Sequence, residues 1–167
     1  EISGLPKCAF VAINGFTCWA VYEAIISAGY KVEYLDIEDK DLNFTPKILE
    51  EKLKKNPQIR AVVIQNTLGY PCQISQIAKI CKEYNLILIE DLAHSVGAVY
   101  EDGKEAGTVG DFIVFSFSQD KTIDAISGGA LVIRNKQSFS ANKKYQKKVS
   151  AYFQNVNAAI QYKDRLY

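Results

Sequence analysis

Leu86-Ile87-Leu88-Ile89-Glu90-Asp91 joins an unbroken apolar run to a pair of carboxylates. A strand with one wet face alternates apolar and polar residues. An unbroken run suits a strand covered on both faces, as in a parallel sheet. What precedes it fits: Ile74, Ile77, Ile80, Cys81 and Tyr84 recur at helical spacing, and Asn85 stops that helix directly before the strand. A helix feeding straight into a doubly buried strand is half of a parallel crossover unit.

The alternation extends both ways. Residues 8–13 form an apolar run. Residues 17–28 have helical spacing, with Trp19, Ala20, Ile25 and Ile26 available for burial, and Ala28-Gly29 ends them. Residues 31–37 alternate as a strand does. Thr45-Pro46 opens a helix with a capping hydroxyl and a proline in its first turn; it runs to about residue 54, where Asn56-Pro57 follows. Residues 61–64 are the next buried strand, and Leu68-Gly69-Tyr70-Pro71 is a turn. Asp102-Gly103 predicts a tight hairpin, and with it an antiparallel element. Residues 112–117 and 130–133 are the last strands, and Tyr145, Val149, Tyr152, Phe153 and Val156 stripe a closing helix. The expected fold is α/β, a single domain over residues 1–167. It has a mostly parallel sheet with helices on both faces.

Composition removes several function classes. With 167 residues and 48% apolar content, the chain can bury a real core. A net charge of +1 gives no field for nucleic acid or for an anionic membrane surface. No apolar run is long enough to span a bilayer, and no secretory leader is evident. Lys143, Lys144, Lys147 and Lys148 read as the solvated face of the closing helix. Cys8, Cys18, Cys72 and Cys81 have no zinc-site spacing, and one histidine cannot complete such a site, so no metal is expected. Cys8 and Cys81 read as small core residues, and the thiols as reduced, in the cytoplasm. A chain that begins at Glu1 and has no methionine reads as a fragment or a processed form.

In such sheets ligands collect at the carboxyl ends of the strands. Asp91, Asn66 and residues 116–121 all fall there. Asp91 closes one apolar run. Ser116 lies in another, and Lys121 follows it in Phe115-Ser116-Phe117-Ser118-Gln119-Asp120-Lys121. A carboxylate and an amine facing one pocket suit a pyridine-aldehyde cofactor. The amine attacks the aldehyde, and the carboxylate keeps the ring nitrogen protonated, which makes the ring a better electron sink. Ser116 is a candidate phosphate ligand, and His94 a candidate contact to the cofactor ring. Each has an ordinary structural reading as well: a turn-capping aspartate, a surface lysine, a backbone-bonded serine, a structural histidine. Gly128-Gly129 reads either as a close backbone approach or as loop punctuation.

Residues 16–134 resemble the DegT/StrS family of sugar-nucleotide aminotransferases, fold-type I enzymes that use pyridoxal 5'-phosphate. The resemblance rests on several pieces in one order. They are Phe16-Thr17, Ala28-Gly29, residues 43–46, Gly69 with Pro71 and Ile74, Glu90-Asp91 with Ala93-His94, Gly97-Ala98, Val109-Gly110-Asp111, and Phe115-Ser116-Phe117 leading to Lys121. It implies Lys121 as the Schiff-base lysine and Asp91 as partner of the pyridine nitrogen. It implies His94 packed against the cofactor and Ser116 on its phosphate. It further implies amino transfer from glutamate to a keto group of a nucleotide-linked sugar, in a homodimer, with Lys121 as base and acid. Family members are longer. The resemblance places the start of this chain after a Gly-Thr phosphate turn and its end before a small C-terminal domain. Cys18 stands where the family usually has a stacking aromatic residue, and Asn66 where it has a histidine. The competing reading is a non-catalytic aminotransferase-like remnant that serves as a binding or assembly module. An unrelated nucleotide binder is disfavoured, because no Gly-x-Gly-x-x-Gly or Walker loop follows a strand.

Overall fold

The computed structural model describes residues 5–38 and 41–134. Its elements are β1 (Phe10–Asn14), α1 (Trp19–Ser27), β2 (Lys31–Leu35), α2 (Pro46–Lys55), β3 (Ile59–Ile64), a 3₁₀ turn (Thr67–Gly69), α3 (Ile74–Glu83), β4 (Ile87–Asp91), β5 (Phe112–Ser116) and β6 (Gly129–Ile133). They build one six-stranded sheet in the order β2-β1-β3-β4-β5-β6. All neighbours pair in parallel except β5 and β6. The expected closing helix and its lysine face lie outside the described residues.

Strand pleating sorts the side chains into two layers. Ala12, Val62, Ile64 and Leu88 pack with Leu49 and Leu53 of α2 and with Ile74, Ile77, Ile80 and Cys81 of α3. Val11, Ile13, Ala61 and Val63 face the other way, against Ile25 of α1. Helices therefore cover both faces, as expected. The Thr45 hydroxyl caps α2 by accepting from the Ile48 N–H, and Pro46 occupies its first turn.

Three expectations need correction. First, α1 buries only Ile25; Trp19 is 68% exposed and stacks on Tyr22 instead, with ring centroids 4.6 Å apart. Second, Asp102-Gly103 does form a turn, but only a single antiparallel bridge, Val99 to Glu105, flanks it; the antiparallel strand is β6. Third, Cys8 is exposed in a turn at φ +65°, so it opens no strand and fills no core, whereas Cys81 is buried as expected. Among the described residues all four thiols are free. No described helix is long and apolar enough to cross a membrane.

Candidate active site

Pleat parity, counted from the strand ends, selects the residues of the site. On β4, Leu88 and Glu90 face the α2/α3 layer, so Ile87, Ile89 and Asp91 face the α1 layer. On β5, Phe112, Val114 and Ser116 share that same face. A cavity of about 710 Å³ runs over this face. Val11, Ala61 and Val63 floor its apolar end, and its polar end gathers Asp91, His94, Ser116, Ser118 and Lys121. All four residues singled out in the sequence therefore line one cavity. Its volume falls in the ordinary range for small-molecule sites.

Asp91 ends β4 opposite Val114 of β5. Its Oδ1 accepts from the Ala93 N–H at 3.0 Å, which turns the chain toward His94. Among the described residues Oδ2 has no hydrogen-bond partner. Burial raises the carboxyl above its ordinary range, and the Ala93 N–H, His94 and Lys121 oppose that rise. The site thus holds a half-satisfied carboxylate that would gain from a cationic N–H partner.

Lys121 reaches the cavity through a closed loop between β5 and β6. The loop is tied by Phe117 N–H to Gly128 O at 2.9 Å, by Ala125 N–H to Phe117 O at 3.0 Å and by Lys121 N–H to Ser118 O at 3.0 Å. Gly128 sits at φ +108°, open to glycine at no steric cost. Gly129 pairs with Ser116, and a Cβ there would collide with the Phe115 carbonyl oxygen, so the glycine pair serves a close backbone approach. The Lys121 side chain is only 14% exposed. Its Nζ lies 2.8 Å from Asp120 Oδ2 on the solvent side and 3.5 Å from His94 Nε2 on the cavity side. Ser116 and Ser118 bring their hydroxyls within 3.3 Å of each other at the end of β5.

Two buried polar groups behind this site went unread in the sequence. Gln65 follows the β3 run and lines the cavity with Asp91. The Thr17 hydroxyl donates to its Oε1, and its Nε2 lies 3.4 Å from His94 Nδ1. Glu90 is fully buried on the opposite face from Asp91. It accepts from Tyr100 Oη at 2.8 Å, from the Gly107 N–H at 2.6 Å, from the Val109 N–H at 2.8 Å and from the Gly110 N–H. Asn66, although at a strand end, turns away from the cavity. It donates to Tyr100 Oη at 2.9 Å and accepts from the Cys72 N–H at 3.0 Å. The signal for both missed residues was a buried polar residue ending, or next to the end of, an apolar strand.

Comparison with known proteins places the fold and the family. Over 131 residues the chain is 38% identical to the UDP-4-amino-4,6-dideoxy-N-acetyl-beta-L-altrosamine transaminase of Campylobacter jejuni, covering 78% of this chain and 34% of that protein. Over 129 residues it is 33% identical to the GDP-perosamine synthase of Vibrio cholerae, covering 77% and 34%. The chain spans about a third of the length of these curated relatives. The crystal structure of the aminotransferase TlmJ from Streptoalloteichus hindustanus superposes with a TM-score of 0.75 at 31% identity, covering 86% of this chain and 38% of that one. A model of the DegT/DnrJ/EryC1/StrS aminotransferase family matches residues 4–162, and the chain belongs to that family.

Proposed function

We propose that this chain is the cofactor-holding core of a pyridoxal phosphate-dependent aminotransferase, acting on glutamate and on the keto group of a nucleotide-linked sugar. One observation carries the reading: Asp91, with an unpaired carboxylate oxygen, and Lys121, a largely shielded amine, line the same cavity. That donor set fits the cofactor. Asp91 would hold the protonated ring nitrogen, Lys121 the aldehyde carbon, His94 the ring face or its oxygen, and Ser116 with Ser118 the phosphate. Pyridoxal phosphate, when bound, supplies an aldehyde that condenses with amines and a ring that takes up the electron pair released when an amino acid Cα–H bond breaks.

The chain's own residues do the rest. Asp91 keeps a proton on the ring nitrogen by offering it a negative charge in a partly buried site. Lys121 would hold the aldehyde carbon through its amine, and as a free amine beside a bound amino acid it would be the base for the Cα proton. The same amine would be the acid that returns the proton, in the reaction of glutamate and in that of the keto sugar. Asp120, exposed beside it, holds the protonated amine. The cytoplasm and a homodimer are part of the same reading.

The test is a half-reaction. The protein, loaded with pyridoxal phosphate, is mixed with glutamate, and 2-oxoglutarate is counted per chain. Formation that depends on Lys121 supports the reading. Binding of pyridoxal phosphate without formation of 2-oxoglutarate overturns it in favour of a non-catalytic binding module.

A further inference from the structure

We propose that Gln65 is a positioning residue that holds His94 in the tautomer with its proton on Nε2, so that the ring offers an N–H donor beside Lys121. The consequence for Lys121 rests on the reading of the cavity given above; the tautomer itself does not.

Hydrogen-bond polarity carries the argument. The Thr17 hydroxyl donates to Gln65 Oε1, which turns the amide nitrogen toward His94. An amide nitrogen is a donor only. With the amide oriented as the structure has it, Nδ1, 3.4 Å away, accepts, and a neutral ring then carries its proton on Nε2. Gln65 is 5% exposed and fixed at the end of β3, so this constraint is built into the sheet.

Nε2 in turn lies 3.5 Å from Lys121 Nζ. An Nε2–H can donate to Lys121 only when that is the free amine, the nucleophilic form; the ammonium, ion-paired with Asp120, can take no hydrogen bond from it. The protonated amine has a separate partner in Asp120, 2.8 Å away on the solvent side. When Lys121 moves off, the same N–H is free for a carbonyl or anionic oxygen in the cavity. The chain Thr17–Gln65–His94 thus presents one fixed donor to the reacting end of the site.

The chain has a single histidine, so ring-¹⁵N labelling gives one signal for each nitrogen with no assignment problem. The spectrum is taken on the free protein in mild alkali, where an imidazole is neutral. Nε2 is expected to read as the protonated nitrogen and Nδ1 as the bare one. Gln65→Glu, whose carboxylate only accepts, should move the proton to Nδ1; Gln65→Met should leave a mixture. Circular dichroism checks that the variants fold, and the wild-type spectrum needs no variant. A wild-type proton on Nδ1, or one tautomer common to wild type and a folded Gln65→Met, overturns the proposal. A second readout is the rate at which pyridoxal phosphate is trapped on Lys121 by borohydride. It should fall about 10-fold in Gln65→Glu, the low end of what losing a histidine's hydrogen-bond partner costs at metal sites. An unchanged rate in folded Gln65→Glu overturns the link to Lys121. Absence of trapping in wild type contradicts the cofactor reading, while the tautomer is still decided by the spectrum.

Discussion

Glu90→Gln is the substitution whose effect can be worked most fully from the structure. Glu90 is fully buried and accepts hydrogen bonds from three backbone N–H groups and one phenol. Glutamine has the same shape but only one accepting oxygen. If its nitrogen replaces Oε1, it faces the Val109 and Gly110 N–H groups; if it replaces Oε2, it faces Gly107 and Tyr100. The second placement is the less costly one, because the Tyr100 hydroxyl can turn and accept. It still strands the Gly107 N–H, at about 1–3 kcal/mol for an unpaired buried donor. The bonds to Val109 and Gly110 also lose their charge assistance, a further ~1 kcal/mol or so. Relief of a buried charge offsets part of this. With that offset the net loss should be roughly 1–3 kcal/mol, a large share of the stability of an ordinary domain. Urea unfolding followed by far-UV circular dichroism measures it, with the slope unchanged. A loss below about 0.5 kcal/mol, the level of an ordinary surface substitution, would refute the view that Glu90 anchors the 107–110 loop beneath the site.

Other outcomes follow from the same geometry. Asp91→Asn should stabilise the free protein at neutral pH. Burial, the larger influence, raises the carboxyl above its unfolded value, so its contribution to stability is full in acid and is lost as pH rises through the folded value. The gain should vanish in acid, while capture of pyridoxal phosphate falls; denaturation midpoints at the two pH values and borohydride trapping check both. Burial pushes the Cys72 and Cys81 thiols up to about 12, so neither should react with iodoacetamide in the native state, whereas exposed Cys8 and Cys18 should. Cys18 lines the cavity, so pyridoxal phosphate should slow its alkylation, read by peptide mass spectrometry, and leave Cys8 untouched.

Much of the site could be read because two apolar runs end in polar residues. The runs containing Leu88 and Phe112 mark strands of the sheet, and Asp91 and Ser116 stand at their carboxyl ends. The same rule applied to Ala61–Ile64 would have found Gln65, the next residue and, like Asp91, on the cavity side of the pleat. Glu90 was hidden by its neighbour: one residue of parity sends it into the α2/α3 layer, where its four donors come from residues 100–110, which have no periodic pattern. Helical spacing in α1 located an apolar stripe but not what covers it, so Trp19 was expected inside and is exposed. The direction of β6 is not written in its composition. It follows from the closed loop at 117–128, whose path depends on turn hydrogen bonds and on Ile126 and Gly128 at positive φ. The approach of Lys121 to His94 depends on that loop, so spacing alone suggested it only in outline.

The central claim is that Asp91 and Lys121 form one pyridoxal phosphate site. The most direct test is to add pyridoxal phosphate to the purified chain, reduce with borohydride and map the label, with Lys121→Ala as control. The account predicts a single labelled residue, Lys121, with labelling lost in the control and weakened in Asp91→Asn. Label spread over other lysines and unchanged in Lys121→Ala would contradict it.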